Sequence, residues 1–198
     1  MKPNTRILLV ALAAGVIGAG AGLWFNGAAP LLRSELGQRA LQDVLSATAP
    51  PAPAGLAVAQ RGQVIPTLYL PDLDGQPLEL PAAHLGRPQL INFWASWCGP
   101  CIEEMPELDR FAASQDGTGV QVVGIALDDA DAVRAFLQRI PVDYPILIDA
   151  AGPADSGVQL GNLKGVLPYT VLVDARGRLV KQKIGPFQHG EIDAWTQP

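Results

Sequence analysis

The sequence predicts an α/β domain built on a largely parallel sheet with one antiparallel edge. Apolar runs without clean alternation, such as QLINFW at 89–94 and VQVVGIAL at 120–127, are typical of strands buried on both faces. Helical patterns separate the strand patterns, and strands that alternate with helices favour parallel pairing. The last two strand patterns are joined by the tight turn ARG at 175–177, so these two strands must pair antiparallel.

The elements of this domain begin at about residue 61. TLYL and LEL flank the turn LDGQP at 73–77, which indicates a β-hairpin ahead of the buried strands. The segment DDADAVRAFLQRI at 128–140 starts with acidic residues and repeats apolar residues at helical spacing. The strand patterns YPILID, YTVLVD and RLVKQKIG follow, and HGEIDAW is predicted to close the chain as a short helix.

Residues 1–26 are predicted to be a transmembrane anchor or a cleaved signal segment. An uncharged apolar run at 7–25 approaches the length of about 20 residues that spans a bilayer as a helix. Lys2 and Arg6 precede this run, which by the positive-inside tendency keeps the N-terminus in the cytoplasm. AGA at 19–21 also has the form that signal peptidases accept. Either way, the domain is expected outside the cytoplasmic membrane, in the periplasm or extracytoplasmic space.

Residues 27–60 are predicted to connect this segment to the folded domain at 61–198. LLRSELGQRALQDVL at 31–45 places apolar residues on one helical stripe, the pattern of a short amphipathic helix near the membrane. TAPPAPAG at 48–55 is rich in proline and is expected to be extended and semi-rigid. The predicted arrangement is an anchor, a juxtamembrane helix with a Pro/Ala-rich linker, and one domain.

Composition excludes two classes of protein. The hydrophobic content of 48% with 17% charged residues suffices for a core, so a disordered chain is not expected. The net charge of −5 comes with scattered lysines and arginines that form no basic patch, which argues against nucleic-acid binding.

Cys98 and Cys101 are the only cysteines in the chain, and they directly follow the buried strand at 89–94. Gly99 and Pro100 force a turn into a helix, because proline suits a first helical position. Cys98 therefore lies at a helix N-terminus, where free N–H groups and the helix dipole stabilise a thiolate. Cys101 lies one turn along, more enclosed and within bonding reach. The pair is predicted to cycle as a disulfide, with Cys98 attacking and Cys101 resolving the mixed disulfide.

Two other uses of the pair fit less well. A structural zinc site needs about four ligands, and His84 and His189 lie far away without ligand spacing, so no metal site is predicted. These histidines are interpreted as loop or surface residues. A structural disulfide is common in exported proteins, but a bridge across three residues closes too small a loop to stabilise the fold much.

The stretch NFWASWCGPCIEEMP at 92–106 closely resembles the signature of the TlpA/ResA-like family, membrane-anchored thioredoxin-fold thiol-disulfide oxidoreductases of the bacterial cell envelope. The similarity runs over residues 61–198. It implies a thioredoxin-like fold, a central mixed sheet flanked by helices, with an N-terminal β-hairpin and a βα insert at 120–150. It also implies a reductase of exported clients, fed by a membrane-embedded electron donor and serving cytochrome c maturation or oxidase copper-site assembly. No cofactor is expected beyond the redox-active disulfide.

Pro168 in GVLPYTVLVD falls where thioredoxin-like folds place a cis-proline beside the active-site sulfurs. The resemblance therefore implies a cis bond here, although most prolines are trans. Leu167 would then pair, strand-like, with a substrate peptide. Family members often carry threonine beside this proline, whereas this chain has Leu167 and Tyr169, so substrate preference is expected to differ.

The residues around the cysteines complete the predicted substrate surface. Trp97, next to the nucleophile, is predicted to form an exposed apolar rim that substrates touch. Gly99 and Pro100, between the two cysteines, are assigned to the same surface. Trp94 is interpreted as a core residue.

Glu104 is the predicted proton carrier. Asn92 occupies the position where cytoplasmic thioredoxins have a buried aspartate that exchanges protons, which an amide cannot do. Glu104, one helical turn after the second cysteine, matches the acidic residue that the family keeps near its disulfide. A carboxyl buried there would have a raised pKa suited to proton transfer with the resolving thiol. The simpler interpretation is that Glu103, Glu104 and Glu107 only favour the start of a helix.

The sequence thus predicts an exported protein-disulfide reductase. Its Gly-Pro dipeptide is that of thioredoxin, at about −270 mV, whereas the strong oxidant DsbA lies at about −120 mV. One alternative is copper delivery through the two thiols, for which Met105 is the only nearby residue of the type such proteins add. Another is a thiol peroxidase, which would require threonine or serine where Ala95 stands.

Overall fold

The computed structural model describes residues 34–115 and 117–197. The predicted anchor or signal segment at 1–26 lies outside these residues. Among the residues described, no helix has both the length and the apolar character needed to cross a membrane. A division between two compact units falls between Leu41 and Gln42, and the α/β domain belongs to the second unit.

The strands form a hairpin and a five-stranded mixed sheet. The hairpin pairs β1 (Leu68–Pro71) with β2 (Pro77–Leu80). The sheet contains β3 (Gln89–Trp94), β4 (Gln121–Leu127), β5 (Ile146–Asp149), β6 (Tyr169–Val173) and β7 (Leu179–Ile184), in the spatial order β5-β4-β3-β6-β7. β3, β4 and β5 run parallel, and β6 pairs antiparallel with β3 and β7. The predicted hairpin, parallel strands and antiparallel edge are confirmed.

The helices lie between and beside these strands. They are α1 (Glu35–Thr48), a 3-10 helix (Ala82–His84), α2 (Gly99–Ser114), α3 (Ala130–Leu137), α4 (Ser156–Gln159) and α5 (Glu191–Trp195). Four residues separate the end of β3 from the start of α2, which has Pro100 in its first turn. The residues in which we expected a βα insert form β4, α3 and β5.

The core lies on both faces of the central strand β3, whose six residues are all buried. Leu90 and Trp94 point to the face covered by α2, where Met105, Leu108 and Phe111 join them. The intervening residues point to the other face and pack with the hairpin and with β6. Each such side chain contributes about 1.5–3 kcal/mol when fully buried. Both faces of the strand are mainly apolar, so it shows no polar alternation, and its only polar residues are the buried Gln89 and Asn92.

Residues 42–60, predicted to be part of a connecting segment, belong to the same compact unit as the domain. Gln42 donates from Nε2 to the Gly161 carbonyl over 2.7 Å. Further along, the Ala59 N–H donates to the Gln159 carbonyl over 2.7 Å. Gln42 is buried whereas Val44, a member of the predicted apolar stripe, is exposed. Polar contacts rather than the stripe therefore hold this end of α1, and no structural boundary falls at residue 60.

Candidate active site

Cys98 and Cys101 form a disulfide at the N-terminus of α2, with their Cα atoms 5.3 Å apart. Cys98 is the N-cap residue of the helix and has an extended backbone. Its carbonyl accepts the N–H of Ile102, so the helical hydrogen bonds begin at the cysteine itself. Cys98 keeps 6% of its surface exposed and Cys101 keeps none. The predicted placement and the predicted difference in enclosure are both confirmed.

Pro168 lies beside this helix start. The Leu167–Pro168 peptide bond is cis, as the resemblance implied. Pro168 immediately precedes β6, whose first residue, Tyr169, is in register with Phe93 near the end of β3. Since the chain runs from the end of β3 directly into the cysteine loop, the proline and the disulfide lie at the same end of the two paired strands.

An open groove borders the exposed side of the disulfide loop. Trp97 and Tyr69, each 70% exposed, line it together with Asp128. Its volume is about 770 Å³. Asp128 also fixes the loop, because its Oδ2 atom accepts the Ser96 N–H over 2.9 Å and the Ser96 hydroxyl over 2.6 Å. The exposure predicted for Trp97 is confirmed, but the sequence did not reveal that the hairpin residue Tyr69 lies on the same surface.

Glu104 lies behind the disulfide, 1% exposed. Its Oε1 atom accepts a hydrogen bond from Asn92 Nδ2 over 2.8 Å, and its Oε2 atom accepts the Phe187 N–H over 2.8 Å. Burial raises the pKa of Glu104 to about 7, against the opposing effects of these hydrogen bonds and of the Lys183 charge. Its predicted burial and raised pKa are confirmed, and its role in proton transfer stays a prediction.

Glu107 does more than favour the start of a helix, the role that the simpler interpretation gave it. It is buried and accepts hydrogen bonds from Arg110 over 2.7 and 3.0 Å and from the Gly190 N–H over 2.6 Å. The Arg110 hydrogen bonds lower its pKa to about 2 despite burial. His189, an exposed residue as predicted, also lies 3.0 Å from this carboxylate. Glu107 therefore fastens the segment after β7 to α2.

The sequence did not reveal an ion pair near Glu104 between a buried lysine and a partly buried glutamate. Lys183 on β7 and Glu191 on α5 approach to 2.7 Å, and the Lys183 ammonium lies over the ring of Phe187. The only indication of this pair in the sequence is that Lys181 and Lys183 stand two residues apart in the strand pattern RLVKQKIG. That spacing predicts that Lys181 and Lys183 share a face, but not that this face is covered.

The structure also places the residues relevant to metal binding. Met105, the residue that a copper site would add to the thiols, is fully buried in the apolar cluster beneath α2. Over residues 34–115 and 117–197, no three His, Cys, Asp or Glu side chains are grouped so that they could hold a metal ion. His84 lies in the 3-10 helix, and burial lowers its pKa.

Comparison with known proteins agrees with this site. A profile of the Redoxin family matches residues 60–196. The thiol-disulfide oxidoreductase ResA of Bacillus thuringiensis (strain Al Hakam) is 32% identical over 141 residues, which cover 70% of this chain and 78% of ResA. The sporulation thiol-disulfide oxidoreductase A of Bacillus subtilis (strain 168) is 26% identical over 149 residues, covering 72% and 87% of the two chains.

Two crystal structures share the fold. A thiol:disulfide interchange protein of the thioredoxin family from Chlorobium tepidum TLS is 26% identical, has a TM-score of 0.57, and is matched over 71% of this chain and 97% of its own. StoA from Bacillus subtilis, 24% identical with a TM-score of 0.54, is matched over 68% of this chain and 98% of its own, and supports the fold alone. With its disulfide at a helix N-terminus beside a cis-proline, the chain belongs to the Redoxin family, as a ResA-like thiol-disulfide oxidoreductase of thioredoxin fold.

Proposed function

We propose that this oxidoreductase reduces disulfides in exported client proteins and uses Glu104 to carry the proton of the resolving thiol. The observation that carries the proposal is the position of Glu104, a buried carboxyl one helical turn behind Cys101 with a pKa raised by burial to about 7. A group that titrates near neutral pH is suited to accept and return a proton under physiological conditions.

The proposed reaction transfers two electrons from the dithiol to the client. The Cys98 thiolate attacks one sulfur of the client disulfide, which breaks, and the other client sulfur leaves as a thiolate and takes a proton from water. The Cys101 thiol then gives its proton to the Glu104 carboxylate and attacks Cys98. The Cys98–Cys101 disulfide forms, the second client thiolate leaves, and the client is released reduced. An external dithiol donor must later reduce Cys98–Cys101 again.

The groove that reaches the disulfide loop at Trp97 supports binding of an extended client segment. Trp97 provides an exposed aromatic surface at the groove, and Gly99 and Pro100, between the two cysteines in the chain, are also exposed. Leu167, just before the cis bond, would offer backbone groups for strand-like pairing with the client. In this proposal Trp97, Gly99, Pro100 and Leu167 bind the client, and Pro168 shapes the surface beside the sulfurs.

We expect the Cys98–Cys101 pair to have the potential of a reductant. Its value should lie nearer that of thioredoxin, at about −270 mV, than that of DsbA, at about −120 mV. Equilibration of the protein in graded thiol buffers, followed by alkylation of free thiols, would measure it. The double variant Cys98→Ser/Cys101→Ser, which has no thiol, gives the baseline. A potential above that of protein disulfide isomerase, at about −180 mV, would contradict the reductase direction.

We further propose that the protein is anchored in the cytoplasmic membrane with its redox domain outside, where exported clients and a membrane-embedded donor would meet it. Residues 1–26, with two basic residues ahead of an apolar run, support this topology. The family resemblance supports clients in cytochrome c maturation or in assembly of the oxidase copper site.

A reporter enzyme that works only outside the cytoplasm should be active when fused after residue 60. The same fusion without residues 1–26 is the matched control and should be inactive, because nothing in it would direct export. Activity of a cytoplasm-only reporter at residue 60 of the complete segment would refute the proposed topology.

A further inference from the structure

Lys183 is a buried cation that the proposed reaction does not use. Only 2% of the residue is exposed, its Nζ atom lies 2.7 Å from Glu191 Oε1, and it lies 5.0 Å from the centroid of the Phe187 ring. Burying a charge costs free energy unless the charge is paired, so the pairing with Glu191 explains why the fold can bury Lys183. The pairing does not account for its presence, because a well-packed apolar pair is often as stable as a buried ion pair.

Phe187 links this ion pair to the redox centre. Its backbone N–H donates to Glu104 Oε2 over 2.8 Å, and its ring packs against the Lys183 ammonium. The next residue, Gln188, donates its N–H to Glu191 Oε2 over 2.8 Å. Glu104 and Glu191 therefore hold consecutive backbone amides of one segment, which links the ion pair to the Glu104 carboxylate.

Titratable groups from three parts of the fold act on the Glu104 carboxyl. Lys183 on β7 favours its ionised form and Glu191 on α5 disfavours it. Tyr144, which precedes β5, also lies within electrostatic range, but burial raises its pKa and keeps the phenol neutral. Asn92 on β3 contributes a hydrogen bond and no charge. Two opposite charges, paired with each other, thus act on Glu104 in opposite directions.

We propose that Lys183 and Glu191 are positioning residues of the redox centre, whose ion pair controls when Glu104 holds a proton. The inference rests on the proposed function for its consequence in catalysis, but its direct effect is on Glu104 itself. Lys183 is buried and Glu191 is only 20% exposed, so each charge is screened less than at the surface and acts more strongly on its neighbours. Removing the Lys183 charge leaves Glu191 uncompensated beside Glu104, and removing the Glu191 charge leaves Lys183 uncompensated.

The test is a ¹³C NMR titration of the Glu104 carboxyl in the oxidised full-length protein in detergent. Lys183→Met should make Glu104 bind its proton about tenfold more tightly, and Glu191→Gln should make it bind about tenfold more weakly, for a change of about one pKa unit each. The neutral double variant should return close to the wild-type midpoint. Lys181→Met is the matched control: it removes the same charge from the same strand, from a side chain that bonds the Trp195 and Gln197 carbonyls.

Unchanged midpoints in the single variants would overturn the proposal, and so would shifts of both in the same direction. If Lys183→Met does not fold, Glu191→Gln alone still tests the proposal. The midpoint of the Glu104 titration must then fall in Glu191→Gln and stay unchanged in Lys181→Met. Lys183→Arg, which keeps the charge, should retain the wild-type midpoint.

The pH profile of mixed-disulfide resolution separates this inference from the proposed function. If Glu104 carries the proton, the profile moves with the NMR midpoint in each variant. If the NMR midpoints move and the pH profiles of resolution do not, the ion pair still controls the protonation of Glu104. That result would contradict only the proposed role of Glu104 in proton transfer.

Discussion

Replacing Cys101 by serine should produce a protein that captures client disulfides and does not release them. Cys98 would still attack, because its position at the helix N-terminus and its residual exposure are unchanged. The resolving thiol would be absent, so the mixed disulfide would persist until an external thiol cleaves it. We expect turnover with a client disulfide to fall by at least about 10³-fold, the scale on which loss of an essential catalytic group is felt.

Cys98→Ser is the matched control for this experiment. It removes the same kind of atom three residues away, but it should form no mixed disulfide because the buried Cys101 cannot reach a client first. Non-reducing electrophoresis and mass spectrometry after incubation with a disulfide-bonded peptide would detect the adducts. The reverse pattern, with adducts on Cys98→Ser and none on Cys101→Ser, would overturn the order of attack. In the native envelope, the Cys101→Ser adducts would also identify the clients.

The parts of the fold that depend on local pattern were predictable from the sequence. The strand at 89–94 is apolar on both faces, and the turn at Gly99 and Pro100 fixes a helix start, so the position of Cys98 follows from neighbours in the chain. The antiparallel pairing of β6 with β7 follows from the shortness of the turn between them. In these cases the physical cause lies within a few residues of its effect.

The surroundings of Glu104 were not predictable in the same way. Phe187 is 83 residues away, and its N–H reaches Glu104 only because the segment after β7 folds back over α2. Glu107 illustrates the same limit, since its hydrogen bond to Gly190 also spans 83 residues. Phe187 and Gly190 donate through their backbone N–H groups, so their residue types do not indicate a carboxylate partner. Contacts of this kind depend on the packing of whole elements, which a periodic pattern does not specify.

Replacing Glu104 by glutamine should preserve the fold and the attack by Cys98 while slowing resolution of the mixed disulfide. Glutamine is similar in shape and can still accept the Phe187 N–H. Within the described residues, Asn92 Oδ1 is a buried atom without a hydrogen-bond partner. If the Asn92 amide rotates, the NH₂ group of the new glutamine can donate to this oxygen. Glutamine cannot take a proton, and general acid–base catalysis typically contributes about 10²–10⁴-fold, so we expect resolution to slow by about 10²-fold.

The stability of the variant provides an independent check on the state of Glu104. The folded pKa of Glu104, about 7, lies above its ordinary value of 4.5, so the folded state holds this proton more tightly than the unfolded state. The protonated carboxyl therefore contributes its full stabilisation only below pH 4.5. The wild-type protein therefore loses free energy of unfolding as pH rises to about 7, by up to about 3 kcal/mol for a shift of this size. Glu104→Gln has no such loss, so above pH 7 it should be at least as stable as the wild type in urea denaturation.

The pH dependence of resolution decides whether this carboxyl does chemistry. The wild-type rate should rise as pH passes through about 7, since only the ionised Glu104 can accept the Cys101 proton. The difference from Glu104→Gln should be largest near and just above neutral pH. It should shrink in acid, where Glu104 is protonated, and in alkali well above the free-thiol pKa of about 8.5, where the Cys101 thiol ionises without a base. Stopped-flow rates of the two proteins would measure this difference.

Glu103→Gln is the control, because it removes a carboxylate one residue earlier on the exposed side of α2 and should leave the profile unchanged. Superimposable profiles for wild type and Glu104→Gln would mean that Glu104 only anchors Phe187. In that case the Cys101 proton would pass directly to solvent, and Asn92 would have no acidic replacement in this active site.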